Sequence, residues 1–241
     1  GLDAQIGDGV VAGIAFGYTH GTGRGSLGRS SEDSYSGSIN FGYTSGMFGL
    51  DLTAGYGDGN VDFTRNAALP SGTQSINGRA KSRNLFAGAQ AGFAVAAGQG
   101  FEVRPFLGLV HVNGRFKAFS ERAAQGLGLT VQRQQFESTR AYAGLGLSMT
   151  KSDAAFRPYL KALVSTELSN RDRKASAFFT DDPDRTVFTN FARRGDNQSA
   201  EIDGGFTARI SGHVSLFGEY SATLGKATDV MTATGGIRIR F

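Results

Sequence analysis

The amino-acid sequence predicts an all-β fold, a transmembrane antiparallel up-and-down β-barrel, and three observations lead to that prediction. Apolar residues alternate with small or polar ones at a period of two, over segments of about ten residues. Long polar connections and tight turns alternate between those segments. No apolar run approaches the roughly 18 residues that a transmembrane helix needs.

The first full segment shows the pattern that the others repeat. Ile14, Phe16 and Tyr18 share one face of a strand, and Gly13 and Gly17 share the other. The sequence predicts ten such strands: 10–18, 35–44, 48–57, 84–95, 103–116, 138–150, 156–168, 200–210, 213–222 and 229–241. Residues 1–6 are predicted to be the tail of a further strand. Each full segment is long enough to cross a bilayer as a tilted strand.

The connections predict how the strands sit in a membrane. Long polar stretches are expected to be loops at 19–34, 58–80, 117–135 and 169–198, and tight turns are expected around 45–46, 98–100, 151–153 and 211–212. Outer-membrane barrels place short turns in the periplasm and long loops outside the cell. The sequence therefore predicts extracellular long loops and a periplasmic C-terminus.

A soluble β-barrel with the apolar face as its core is the alternative. Its weakness is the other face, where Gly, Ser, Thr and isolated charges are too small and sparse for an ordinary solvated surface. In one segment the pattern leaves the register open: within 103–116, Leu107 and Leu109 favour one phase, and Val110 and Val112 favour the other.

Charged residues on the small and polar face are predicted to line a wet lumen. They are Asp51, Arg140, Lys161, Glu167, Glu201, Asp203, Arg209, Glu219, Arg238 and Arg240. Both signs occur on strands that are distant in sequence, so these residues could pair across a water-filled interior. The charges indicate either a hydrophilic conduit or the solvated inside of a plugged barrel.

Composition and motifs do not favour a disulfide-rich protein, a nucleic-acid-binding protein, a metalloprotein or an enzyme. The chain has 241 residues, 36 glycines and no cysteine, which leaves neither a disulfide framework nor a thiolate metal site. Its net charge of +4 is spread over scattered arginines, so no nucleic-acid partner is expected. The three histidines lie on different segments without metal-ligand spacing, and no helix follows the glycine-rich stretch 21–25. No enzyme activity, metal or cofactor is predicted.

The last eight residues, TGGIRIRF, alternate strictly up to the terminal aromatic residue. Ile237, Ile239 and Phe241 share one side of the predicted strand, and Arg238 and Arg240 share the other. A lipid contact for the first set and a lumen contact for the second set would explain this order.

Several motifs together resemble the autotransporter β-domain, the C-terminal translocator barrel of type V secretion. The stretch 1–18 resembles the GxD…GxAxGY pattern of that family, and Phe119-Ser120-Glu121 resembles its FxE element. Two strands begin with motifs that also occur in that family, Arg-Pro-Phe-Leu at 104–107 and Arg-Pro-Tyr-Leu at 157–160. The stretches YAGLGL at 142–147 and GIRIRF at 236–241 match the family as well. The similarity covers almost the whole chain.

This resemblance implies a barrel in the bacterial outer membrane that anchors and assists export of an N-terminal passenger domain. The family barrel has about twelve strands and a linker helix in its pore, so a single domain over 1–241 would lack the N-terminal strand or strands, the linker helix and the passenger. Implied partners are outer-membrane lipids and lipopolysaccharide, the barrel-assembly machinery, and the protein's own passenger and linker helix. Thr234, Gly236, Ile239 and Phe241 resemble the signal that the assembly machinery recognises.

Two other functions remain open from the sequence. The first is a free-standing outer-membrane porin or adhesin that acts through its lumen or its long external loops. The second is a barrel enzyme such as a protease or lipase, which would need a clustered Asp/His or Ser/His set at one rim. The sequence shows no such cluster.

Overall fold

The structure, a computed structural model, describes residues 1–25, 28–70, 72–98, 100–123, 126–151, 153–169, 173–192, 196–226 and 229–239. Sixteen strands lie in these ranges. They are β1 Leu2–Gly7, β2 Val10–Gly25, β3 Gly28–Ser45, β4 Phe48–Leu69, β5 Gly72–Phe93, β6 Val95–Gly98, β7 Phe101–Phe116, β8 Phe119–Ser120, β9 Leu129–Val131, β10 Gln134–Met149, β11 Phe156–Glu167, β12 Arg173–Phe179, β13 Phe188–Ala192, β14 Gln198–Arg209, β15 Val214–Gly225 and β16 Val230–Ile239.

One antiparallel sheet contains most of these strands. Its order is β1-β2-β3-β4-β5-β7-β10-β11-β14-β15-β16, and β6 continues β5 past Ala94 while pairing with β7. Each strand therefore pairs with its neighbour along the chain, as in an up-and-down meander. This confirms the predicted all-β fold, with ten long strands after a six-residue first strand. The sheet is curled, and within the described residues β1 and β16 are its two edges.

Two of the predicted long loops are wrong, because the strands continue through them. β2 and β3 pair up to Gly25 and Gly28, and β4 and β5 pair up to Leu69 and Gly72. Residues 19–34 and 58–80 are thus hairpin extensions beyond the apolar part of the sheet. Both faces of the β2–β3 extension are exposed, whereas in the β4–β5 extension only the outward face is, and Ile76 and Ala80 on its inner face are buried. The outward face meets water in place of lipid, so the apolar pattern of the membrane-crossing part ends there while the ladder between the two strands of each hairpin continues.

The other two predicted loops contain a second, four-stranded sheet with the order β13-β12-β9-β8. β8 and β9 come from the connection between β7 and β10, and β12 and β13 come from the connection between β11 and β14. Because the meander alternates ends, this small sheet lies at the same end of the large sheet as the two hairpin extensions. The opposite end carries the short turns.

The short turns are confirmed where the structure describes them. Gly46, with a φ of 58°, follows Ser45 at the β3–β4 turn, and the turn at 211–212 is closed by the Ile210 backbone N–H, which donates to the Val214 carbonyl at 2.9 Å. Gly9, with a φ of 71°, occupies the β1–β2 turn, which was not among the predicted turns. Such positive φ values suit glycine, which has no Cβ to clash with the carbonyl. Gln99 and Ser152, which belong to two further predicted turns, lie outside the described residues.

The register of β7 resolves the segment whose phase the sequence left open. Leu107 is 66% exposed and Leu109 is 43% exposed on the apolar face of the sheet, whereas Phe106 on the other face is 7% exposed. Val110 and Val112 share the face of Phe106. Leucines of β7 therefore belong to the outer band, and its valines belong to the inner face.

Candidate functional site

The polar face of the large sheet is the candidate functional site, and the ladder registers define it. Directly opposed residues in an antiparallel pair project to the same side. Arg140 lies opposite Glu167, Lys161 lies opposite Asp203, and this parity carries through every strand from β4 to β16. The residues on this one face include Asp51, Arg140, Lys161, Glu167, Glu201, Asp203, Arg209, Glu219 and Arg238.

The opposite face is apolar and exposed along the middle of the sheet. Its large side chains include Ile14, Phe16, Ile39, Leu52, Leu85, Leu107, Leu145, Val164, Ile202, Leu216 and Ile237, each at least two-fifths exposed. Monomeric soluble proteins do not leave a contiguous apolar surface of this extent in water. A bilayer is the environment that suits such a face, and the soluble-barrel alternative does not account for it.

Arg140 and Glu167 form one polar cluster at the long-connection end. The Nε atom of Arg140 lies 3.5 Å from Glu167 Oε2. Glu167 also accepts hydrogen bonds from the Ser138 hydroxyl at 2.5 Å and from the Thr139 backbone N–H at 2.8 Å. Arg140 donates to the Asp196 carbonyl at 2.6 Å and to the Ser199 hydroxyl at 3.1 Å. These contacts join β10, β11 and the start of β14.

Lys161 and Asp203 form a second cluster nearer the middle of the sheet. Lys161 Nζ lies 3.8 Å from Asp203 Oδ2 and 5.0 Å from the centre of the Phe106 ring. Asp203 is 8% exposed, and a carboxylate this shielded needs a nearby cation. Glu201 accepts a hydrogen bond from Thr223 at 3.3 Å. The geometry holds the Lys161 ammonium between an aromatic ring and a carboxylate.

Further charged residues lie towards the short-turn end of the same face. The Tyr159 hydroxyl donates a hydrogen bond to Glu219. Arg238 stacks over the Phe217 ring at 5.9 Å, and Arg209 lies opposite Ser215, which is itself opposite Arg238. The predicted Arg240 lies outside the described residues.

The N-terminal half of the polar face encloses a cavity of about 630 Å³. Its lining includes Asp3, Asn40, Asp51, Gln90 and Tyr142, from strands β1, β3, β4, β5 and β10. One cavity lined by strands so far apart in the order of the sheet requires the sheet to curl, with the polar face on the concave side. This concave polar surface can solvate an extended or helical polypeptide.

Glycines on the polar face make room for aromatic rings on neighbouring strands. A Cβ atom on Gly108 would lie 2.4 Å from Tyr142 Cζ, and one on Gly236 would lie 2.7 Å from Phe217 Cζ. The two rings thus lie flat on the backbone of the adjacent strand and leave the space inside the curl open. This close approach explains why glycine is frequent in these strands although it weakens them entropically.

The residues of the predicted assembly signal fall on both faces of β16. Thr234 lies opposite Glu219 and Gly236 lies opposite Phe217, both on the polar face. Ile239 is 56% exposed on the apolar face. Phe241, the last residue of the predicted signal, lies outside the described residues.

Glu121 has a structural role that the residue pattern alone did not predict. Its side chain is 3% exposed, and it accepts two hydrogen bonds from Arg65, at 2.8 and 2.6 Å. It also accepts the backbone N–H of Leu129 at 2.9 Å, and Arg65 donates to the Leu127 carbonyl at 2.9 Å. The FxE resemblance of 119–121 was the available signal. This ion pair fastens the four-stranded sheet to the β4–β5 extension.

Two of the histidines lie in separate contacts within the part of the chain that the structure describes. His20 pairs with Asp33 at 2.8 Å and joins β2 to β3. His111 contacts the Thr139 hydroxyl at 2.9 Å and joins β7 to β10. No group of three or more metal-binding side chains comes together there. Among the same residues no helix is long and apolar enough to cross a membrane.

A curled antiparallel meander with an exposed apolar face and a charged concave face is the construction of an outer-membrane β-barrel. Residues 1–221 match the family of autotransporter β-domains. The chain therefore belongs to that family, and the resemblance inferred from the motifs is confirmed. Its strands place it in the bacterial outer membrane, where it is a barrel that exports a passenger domain. Domains of this family are transport barrels rather than enzymes.

Solved structures show the same fold. The translocator domain of the autotransporter NalP from Neisseria meningitidis matches with a TM-score of 0.81 and 20% identity, over 99% of this chain and 77% of that one. The β-domain of the Bordetella autotransporter BrkA matches with a TM-score of 0.60 and 17% identity, over 99% of this chain and 87% of that one. The comparison with curated protein sequences finds no match.

Proposed function

We propose that the concave polar face is the surface along which the passenger leaves the cell. The observation that carries this proposal is the sharing of one face by nine charged residues on strands from β4 to β16, opposite an apolar face. Side chains such as Asp203 and Lys161 offer hydrogen bonds to a polar chain in transit, and their mutual pairing keeps them from holding that chain tightly.

The proposal includes an orientation. The two hairpin extensions and the four-stranded sheet lie outside the cell, and the short turns lie in the periplasm, as in other barrels of the outer membrane. Ser31→Cys in β3 and Asn190→Cys in β13 should react with an impermeant thiol reagent on intact cells, and Ser45→Cys at a short turn should not. The absence of native cysteines removes background labelling. Labelling of Ser45→Cys alone would reverse the orientation.

Partners follow from the same arrangement. The apolar face contacts outer-membrane lipid, and the concave face contacts the protein's own passenger and a linker helix. The barrel-assembly machinery recognises the C-terminal segment through Thr234, Gly236, Ile239 and Phe241. A single barrel domain over 1–241 is part of this proposal. Nucleic acid is no partner in it.

Crosslinking during export tests the route. Ser165 lies on the polar face, beside Ser199 at 2.8 Å, and its neighbour Val164 is 64% exposed on the apolar face. In the full-length protein, Ser165→Cys should crosslink to cysteines placed in the passenger when export is stalled. Val164→Cys, one residue away, is the matched control and should not crosslink. Equal crosslinking from both positions, or from Val164 alone, would refute passage along the polar face.

A further inference from the structure

Basic residues that are scattered in the sequence meet on the apolar-face side of β5 and β7. Arg83 lies directly opposite Arg115. The next residues outward are Lys81 and Lys117, and the Lys117 backbone N–H donates to the Lys81 carbonyl at 2.9 Å. All four side chains are exposed. These residues, Lys81, Arg83, Arg115 and Lys117, are called the basic patch.

The basic patch is only partly neutralised by the protein. Asp58 pairs with Arg83 at 3.0 Å, and Asp62 pairs with Arg79 just above the patch at 2.6 Å. Glu137 on β10, opposite Asn113, is the remaining carboxylate on this side of the neighbouring strands. Within the described residues no acidic side chain lies within ion-pair distance of Lys81, Arg115 or Lys117. Like charges directly opposite each other destabilise a sheet. Arg83 already has Asp58 as its partner, so Arg115 and the two lysines are the positions that an external anion would neutralise.

The position of the basic patch identifies the anion. Along β5 the outward residues are Phe93, Ala91, Ala89, Ala87 and Leu85, and Arg83 follows next. Ten residue steps from Phe93 to Arg83 span about 33 Å along the strand. With a strand tilt of 35–45°, this length corresponds to about 25 Å along the membrane normal, which is the height of the apolar band of an outer-membrane barrel. The basic patch therefore starts where the hydrocarbon of the outer half of the bilayer ends, at the level of the lipid headgroups.

We propose that the basic patch binds the phosphate groups of lipopolysaccharide, with Leu85 and Leu109 below it contacting the acyl chains. Leu85 is 58% exposed and Leu109 is 43% exposed on the same face, so the site joins a cationic upper part to an apolar lower part. Free phosphate would use only the upper part. The choice of lipopolysaccharide over a glycerophospholipid rests on the proposed orientation, which puts this end of the sheet in the outer leaflet.

The test measures binding of lipopolysaccharide to the purified, folded chain in detergent. The triple variant Lys81→Gln/Arg115→Gln/Lys117→Gln should bind about 100-fold more weakly, since each cation near an anionic surface contributes about fivefold. The control is Arg24→Gln/Arg29→Gln, a second directly opposed arginine pair at the tip of the β2–β3 extension. Arg24 is six residues beyond Tyr18, about 20 Å along the strand and about 15 Å above the apolar band after the same tilt, and its replacement should change binding less than twofold.

Two further binding measurements distinguish the possible ligands. Lipopolysaccharide treated with phosphatase should bind the wild-type chain as weakly as it binds the triple variant. Phosphatidylglycerol in the same detergent should bind the wild-type chain at least tenfold more weakly than lipopolysaccharide does. Undiminished binding by the triple variant, an equal loss in the control, or equal affinity for phosphatidylglycerol would each overturn the proposal.

A stability measurement keeps the proposal testable independently of affinity. Without lipopolysaccharide, Arg115→Gln relieves the Arg83–Arg115 repulsion and should leave the melting temperature unchanged or higher. With lipopolysaccharide, the wild-type chain should gain more thermal stability than this variant gains. An equal gain in both chains would contradict an anion bound between the two arginines. Neither measurement uses passenger export, so failure here is distinct from failure of the proposed route.

Discussion

Glu121 accepts two hydrogen bonds from the guanidinium of Arg65, although 56 positions separate the two residues in the chain. The pair joins the β4–β5 extension to the connection between β7 and β10. Close by, the Phe63 and Phe119 rings lie 5.1 Å apart. A half-buried ion pair beside an aromatic contact fixes the four-stranded sheet over one side of the long-connection end.

Removing this ion pair should release the small sheet without unfolding the barrel. Glu121→Ala leaves Arg65 without its carboxylate, and because the Arg65 side chain is 34% exposed the cost should be about 2 kcal/mol, below the roughly 3–5 kcal/mol of a fully buried pair. We expect the connection 117–133 to become sensitive to protease while the strands of the large sheet stay resistant. Asp62→Ala removes the exposed pair with Arg79 and should cost less than about 1 kcal/mol. Equal protease resistance of both variants would contradict the role of Glu121.

Acid should loosen the tip of the β4–β5 extension. The hydrogen bonds from Arg79 lower the pKa of Asp62 below its ordinary value. A carboxylate whose pKa is lower in the folded chain stabilises the fold above its unfolded pKa of about 3.9, and this stabilisation disappears as the pH falls through the folded value. Amide hydrogen exchange in 58–80 should therefore accelerate between pH 5 and pH 3, after correction for intrinsic rates. Asp62→Asn should abolish the acceleration, and a pH profile that is the same for this variant would refute the link.

Gly144 should tolerate no side chain. A Cβ atom at this position would lie 2.3 Å from the Ala162 carbonyl oxygen and 2.7 Å from Phe106 Cζ. Gly144→Ala should lower the free energy of unfolding by about 1–3 kcal/mol, as overpacking does in other interiors. Gly21→Ala in β2 is the control, because nothing lies within 4 Å of its added Cβ, and it should be neutral or slightly stabilising. Thermal unfolding in detergent compares the two, and equal melting temperatures would contradict the packing at Gly144.

Residues of the last strand should separate assembly from stability. If the assembly machinery recognises this strand, Ile239→Ala should reduce the amount of barrel in the membrane more than it lowers the melting temperature of the barrel that forms. Phe241→Ala should behave alike. Arg238, which stacks on Phe217 on the polar face, is the control, and Arg238→Ala should assemble nearly normally. Equal membrane yields of all three variants at equal expression would show that these residues are part of the barrel wall and have no role in recognition.

Period-two alternation was enough to predict the strands that cross the membrane, because lipid on one side and water on the other impose it directly. Alternation changes in the β4–β5 extension, where the outward face carries Asp62 and Arg79 in place of lipid-facing apolar residues and the inner face buries Ile76, so this hairpin extension was expected to be a loop. It also fails where both faces are apolar, as at Leu107 and Val110 of β7. The sequence cannot show the contact of Arg65 with Glu121 or of Arg83 with Arg115, since each joins elements that only the ladder registers bring together.

The central claim is that one face of this sheet is wet and the other contacts lipid, and spin labels along β11 test it most directly. Single cysteines from Phe156 to Glu167, labelled in reconstituted bilayers, should show accessibility that alternates with a period of two. Oxygen accessibility should peak at Leu160 and Val164, and accessibility to a water-soluble relaxing agent should peak at Lys161 and Ser165. The opposite phase, or accessibility that does not alternate, would contradict the assignment of the two faces.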